Sequence, residues 1–214
     1  MEKAIFVKIT PETRIPHGKI VLDYTQETLS AGGRVLASHI TLRIAGPEKI
    51  CIVGRNGAGK TTLLKQIAAQ LLSRPDLNAA YMPQDYEELL NMEQNPVEFL
   101  SSRGDKEEQT MIRTYLGSMR YTADEMSHCI GELSGGQKAK LLFLKMSLDG
   151  CNVLILDEPT RNFSPLSGPV IRQVLKSFDG AIISISHDRK YIEEVVSAVY
   201  ELTENGLSRR GSQI

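Results

Sequence analysis

"KICIVGRNGAGKTTLLKQIAAQLL", residues 49 to 72, changes its hydrophobic period midway. The opening run is short and β-branched and reads as a strand, whereas Leu63, Leu64, Ile67, Ala68 and Leu71 recur at helical spacing from Lys60 onward. Between them "GRNGAGKT" fits G-x-x-x-x-G-K-[ST] in the strand-to-helix setting that gives this pattern its meaning. Its glycines let the backbone curl so that N–H groups face phosphate oxygens at the positive end of the helix. Asn56, Gly57, Ala58, Gly59 and Thr62 belong to this loop, Lys60 reaches the β and γ oxygens, and Thr61 can hold Mg²⁺. With glycine at about 7% of residues on average, chance places the pattern in roughly one chain in a hundred, so an ordinary glycine turn is the weaker reading.

On either side of this stretch, strands alternate with helices. "KIVLDY" (19 to 24), "ITLRI" (40 to 44) and "AAYMP" (79 to 83) read as strands. Residues 85 to 132 turn acidic and helical, with a short helix beginning at Pro96 and a second whose apolar face is Met111, Ile112, Tyr115, Leu116 and Met119. There follow a helix in "KLLFLKMSL", a buried strand in "CNVLILDEP", a helix in "PVIRQVLKSF", a strand in "GAIISISH" and a helix in "YIEEVVSA". The last residues, "NGLSRRGSQI", read as a frayed tail. This order predicts an α/β fold of the P-loop NTPase type: a mostly parallel sheet covered by helices, an N-terminal antiparallel β region and a small helical subdomain. The expected organisation is one domain over 1–214, with a core of 1–84 and 133–214 and a helical subdomain of 85–132.

Composition narrows the function classes. A chain of 214 residues that is 41% apolar can bury a core without staples. Cys51, Cys129 and Cys151 are odd in number and form no C-x-x-C pair, which favours reduced thiols in a cytoplasmic setting, with packing as their role. No apolar run approaches the roughly 20 residues that span a bilayer, and "MEKAIFVKITPE" lacks the apolar core of an export signal. With 25 basic and 26 acidic residues the net charge is −1, so no global field draws the chain to nucleic acid. The small basic run "LSRRG" does not change that expectation.

Two further motifs carry chemistry. "VLILDE" ends a hydrophobic strand on Asp157, where a Mg²⁺-binding carboxylate belongs, and Glu158 beside it can accept a proton from attacking water. "LSGGQ" precedes a helix that Ser134 can cap, while Gly135 and Gly136 expose N–H groups at its positive end. This second anion site lacks a lysine and suits a phosphate already held elsewhere.

In these motifs, and in their order, the chain resembles the ATP-binding cassette (ABC) family over nearly its whole length. Gly54 to Thr62 looks like Walker A, Gln84 in "YMPQD" like the Q-loop, Leu133 to Gln137 like the signature motif, Asp157 and Glu158 like the Walker B acid and catalytic base, and His187 in "SISHDRKY" like the switch histidine. The resemblance implies ATP and Mg²⁺ as ligands. Ser134, Gly135, Gly136 and Gln137 are then expected to cap the γ-phosphate of ATP held by another cassette, either a second copy or a tandem cassette in a longer protein. It also implies that His187 senses the γ-phosphate and that Gln84 touches Mg²⁺ or the attacking water.

Three departures qualify the family pattern. Ala31 stands where an adenine-stacking aromatic is expected, with Tyr24 the nearest ring that can substitute. Ser164 stands where the D-loop usually has Asp, and only one cassette is present. Lys60 and Ser134 lie 74 residues apart, a compact insertion that favours a branch without membrane subunits. "IRTYLGSMRY", "ELSGGQKAKLLFLKMSL" and "LILDEPT" look like the second cassette of ABC-F proteins, which often act on ribosomes. The resulting expectation is an ATPase cassette of the ABC-F type, related to translation or antibiotic resistance, with any ribosome contact made by regions outside this chain. The alternatives are the ATP-binding subunit of a membrane transporter and a regulatory module that binds nucleotide without hydrolysis.

Overall fold

The computed structural model describes residues 14–161 and 168–211. These form two compact units, one built from 14–84, 151–161 and 179–211 and the other from 85–150 with 168–178.

The first unit begins with an antiparallel hairpin, β1 (Ile20–Ala31) and β2 (Arg34–Ala45), joined by a two-residue Gly32-Gly33 loop. A register shift at Leu29/Ser30 interrupts the pairing. The sheet behind it has six strands in the order β4 (Ala79–Met82), β5 (Val153–Asp157), β6 (Ala181–Ile185), β3 (Lys49–Val53), β7 (Ala198–Thr203) and β8 (Gly206–Arg209). All pairs are parallel except β7 with β8. β5 and β6 are buried along their whole length, which is why they read as continuous apolar runs. Helix α1 (Lys60–Leu72) lays Leu63, Leu64, Ile67, Ala68 and Leu71 into one core. That core also takes Val21, Leu29, Ile40 and Ile44 of the hairpin and Ile50, Ile155 and Ile183 of the sheet. Each fully buried Leu or Ile contributes about 1.5–3 kcal/mol, so this face fixes where α1 starts.

Sequence and structure differ in three places here. The runs 19–24 and 40–44 are parts of twelve-residue strands, whose outer ends carry polar residues on a two-stranded ribbon with one wet face. The helix expected over 191 to 198 is α6 (Arg189–Val195); it stops because Ser197 N–H donates to the Lys49 carbonyl at 2.7 Å, which draws the chain into β7. The expected frayed tail contains β8, which returns through a Glu204-Asn205 loop to pair with β7. Gly206, at φ 117°, allows this return to pass close to β2, since a Cβ there would lie 2.7 Å from the Ser38 carbonyl oxygen.

The second unit holds α2 (Pro96–Leu100), α3 (Lys106–Ser118), α4 (Gly135–Leu148) and α5 (Gly168–Ser177). Asn95 and Glu98 form a reciprocal capping box ahead of α2, with proline at its first turn as the sequence led one to expect. On α3, Ile112 and Leu116 are buried, whereas Met111 is 39% exposed and lies off the face assigned to it.

Between α2 and α3 the chain wraps around one carboxylate. Glu108 accepts from the Ser101 hydroxyl (2.6 Å), from the Ser102 hydroxyl (2.7 Å) and from the N–H groups of Ser102, Arg103 and Gly104 at 2.9–3.0 Å. The Ser101 hydroxyl first, then the Ser102 donors, hold its carboxyl well below its ordinary value of 4.5. A depressed carboxylate adds stability above its unfolded pKa and loses it as pH falls through the folded one. Glu108→Gln is therefore expected to melt lower than the parent at pH 7, with the gap narrowing steadily below pH 4.5. A gap that stayed constant in melts taken from neutral to strongly acidic pH would contradict this account.

Candidate functional site

Strand β3 ends at Val53 and hands the chain to the glycine loop. Gly59 is the N-cap of α1, at φ 94°, and offers no side-chain cap, so the first helical N–H groups stay open to an anion. A Cβ at this position would stand 2.9 Å from Leu36 Cδ1, so the hairpin packs closely on a loop whose left-handed backbone favours glycine. Lys60 is buried, and its ammonium donates to the carbonyls of Gly54 (2.9 Å) and Arg55 (3.0 Å), which braces it across the loop.

The other expected groups arrive from neighbouring strand ends. Asp157 closes β5 and is 2% exposed. Burial raises its pKa, against the Thr61 hydroxyl that donates to it and the nearby charges of Lys65, Lys60 and Arg161. Glu158 follows at φ 52°, a left-handed conformation that a non-glycine residue holds only at a strain of roughly 1–3 kcal/mol. Its N–H donates to the Ile185 carbonyl at 2.9 Å, and its carboxylate accepts from His187 N–H at 3.2 Å and lies 3.4 Å from His187 Nε2. Burial also raises the Glu158 pKa, with the His187 N–H opposing it.

One cleft of about 920 Å³ gathers these groups at the carboxyl ends of the parallel strands, where open α/β sheets bind ligands. Asn56, Gly57, Gly59, Lys60, Thr61, Thr62, Gln84, Asp157, Glu158 and His187 all line it. Ala58 instead packs against the core. Ala31 and Leu36 line it as well, and no aromatic residue lines the cleft among the described residues. Tyr24 does not replace the missing ring: it is buried, with its hydroxyl bonded to Gln26 and Gln66. The sequence reading missed Leu36 and Arg161 as lining residues. The signal for Leu36 was an apolar residue on the strand that returns from the two-glycine turn after Ala31, and for Arg161 a cation three residues after Glu158.

Ser134, Gly135, Gly136 and Gln137 belong to the second unit and form the start of α4. Ser134 and Gln137 make a reciprocal capping box, and Gln137 also bonds Glu125. The Gly135 carbonyl accepts from Tyr86 at 2.8 Å. Ser164 lies outside the described residues, as does the N-terminal stretch read for export.

Among the described residues no three His, Cys, Asp or Glu side chains cluster as metal ligands. The Thr61 hydroxyl, the Asp157 carboxylate and the Gln84 amide are hard oxygen donors, a sparse set that fits Mg²⁺, which keeps waters and takes phosphate oxygens. No helix among the described residues is long and apolar enough to cross a membrane. Cys51 and Cys151 are buried and Cys129 is exposed, all as free thiols, and burial pushes the Cys51 thiol up to about 11.

Fold and cleft together define a P-loop ATPase. The family model described as ABC transporter matches residues 37–161, more than half of the chain, and the chain belongs to that family. Among curated proteins it is 29% identical to the ribosome protection protein VmlR of Bacillus subtilis, over 98% of this chain and 41% of that protein. It is 29% identical to ABC transporter F family member 5 of Arabidopsis thaliana, over 94% of this chain and 30% of that protein. It is 31% identical to a probable ATP-binding cassette sub-family F member 3 homolog of Encephalitozoon cuniculi, over 95% of this chain and 37% of that protein. The chain thus spans between 30 and 41% of the length of these curated relatives. Among solved structures, the dimeric post-hydrolysis state of the ATP-binding cassette MJ0796 bound to ADP and Pi superposes with TM-score 0.70 at 17% identity, over 90% of this chain and all of that one, which establishes the shared fold.

Proposed function

We propose that the chain binds ATP with Mg²⁺ in the cleft and hydrolyses it when a second cassette closes on it. The observation that carries this reading is the convergence of Lys60, Thr61, Gln84, Asp157, Glu158 and His187 on one cleft. Lys60 and the N–H groups of residues 57 to 62 hold the phosphates. Thr61, Asp157 and Gln84 would hold Mg²⁺, which when bound would supply positive charge against the charge developing on the terminal phosphate. Glu158 takes the proton of the attacking water, and His187, within reach of the Glu158 carboxylate, donates to the terminal phosphate. The open amides of Gly135 and Gly136 at the start of α4 cover a nucleotide held by the partner, so two half-sites complete each other.

The F-family relatives support an ABC-F type protein, and the likeness of "ELSGGQKAKLLFLKMSL" and "LILDEPT" to the second cassette of that group favours its C-terminal cassette, with a translation role executed through parts of the protein outside these residues. Hydrolysis that needs two cassettes rises faster than linearly with protein concentration. Phosphate release from the purified chain at several concentrations tests this. Strictly linear turnover refutes the paired site, and absence of turnover in the presence of bound nucleotide favours a regulatory module.

A further inference from the structure

The turn that follows the acidic pair carries a cation with no assigned role. Arg161 lines the same cleft as Lys60, Asp157, Glu158 and His187. Its N–H donates to the Glu158 carbonyl at 3.0 Å, which closes the turn directly after the acidic pair. Its side chain is exposed, and its guanidinium has no hydrogen-bond or ion-pair partner among the described residues. The other basic side chain lining the cleft, Lys60, is buried and tied to two carbonyls of its own loop. Three carboxylates, Asp157, Glu158 and Asp188, the last of which caps α6, line the cleft with the braced ammonium of Lys60 and the guanidinium of Arg161, whose charge acts on Asp157.

This balance matters for a polyanionic ligand. Without Arg161 three carboxylates would face the single fixed charge of Lys60, and the terminal phosphate beside Glu158 would meet the strongest repulsion. A guanidinium presents a planar fork of donors that matches phosphate oxygens two at a time, and this one gives up no hydrogen bond to a described residue when it does so. We propose that Arg161 binds the terminal phosphate of the nucleotide, so that the cleft distinguishes triphosphate from diphosphate through a side chain of this turn in addition to Lys60 and His187. The proposal rests on the nucleotide-binding reading above and names a further residue by which that site recognises its third phosphate.

The test compares binding of a fluorescent nonhydrolysable ATP analogue and of fluorescent ADP, both with Mg²⁺, to the full 214-residue parent and to Arg161→Ala, Arg161→Gln and Arg161→Lys. The Ala and Gln variants are expected to bind the analogue about tenfold more weakly, the size of one charge-assisted hydrogen bond at an exposed position, while ADP affinity stays within about twofold. Arg161→Lys recovers part of the loss. Because the side chain is exposed, melting temperatures should match the parent, which separates a binding effect from a folding one. Equal weakening for both nucleotides overturns contact with the terminal phosphate in favour of a general field, and unchanged affinity for both overturns any role in binding. A parent that binds neither nucleotide sinks the underlying reading itself.

Discussion

Glu158→Gln is expected to bind ATP as the parent does, hydrolyse it about 10²–10⁴-fold more slowly, and accumulate as a nucleotide-bound dimer. That range is what a general base ordinarily contributes. The substitution preserves shape, so the 3.2 Å contact with His187 N–H and the left-handed backbone persist while the proton acceptor is lost. Burial raises the Glu158 carboxyl above its ordinary value of 4.5, which places the rising limb of the parent's pH–rate profile above that value and removes the limb in the variant. The same shift makes a stability prediction of opposite flavour. A carboxyl raised in the folded state favours the native protein less once both states are ionised, so the Gln variant should melt higher than the parent at neutral pH. The advantage should fade as pH falls through the raised folded value towards 4.5 and be gone below it. Single-turnover phosphate release and gel filtration with ATP decide the first part, and normal turnover by the variant would remove Glu158 from the role of base.

Much of this arrangement was legible because the residues that build it obey short-range rules. The glycine loop sits where a period of two gives way to a period of 3.6, and β5 and β6 read as unbroken apolar runs because both their faces are covered. What escaped depends on long-range pairing. The outer ends of β1 and β2 are polar and hold together only through the hairpin register. β7 and β8 are short, and their partners lie roughly 150 residues upstream or across a two-residue loop. Glu108 looked like any surface acid, since nothing local announces that Ser101 to Gly104 will turn their donors onto it. Arg161 was hidden by its neighbours: beside "LDEP", a single cation in a turn carries no period and no motif of its own.

Lys60→Met should weaken nucleotide binding by about 100-fold while leaving the fold in place. Hydrogen bonds to charged groups are worth about 1.5–3 kcal/mol each, and at 1.4 kcal/mol per decade even one lost contact reaches ~10–150-fold. Loss of the ammonium's charge against two phosphates adds to this, so a value near the upper end is expected. The α1 face formed by Leu63, Leu64, Ile67 and Leu71 is untouched by the change, and the thioether has the length to lie along the channel of the lysine stem. Gly54 and Arg55 do lose the donor that now spans their carbonyls at 2.9 and 3.0 Å, so the empty variant should show faster amide exchange in the loop. Binding titrations paired with melting curves separate the two effects. A large fall in melting temperature would mean that Lys60 serves mainly to brace the loop, whereas a dissociation constant within about twofold of the parent would mean that the phosphates lie elsewhere.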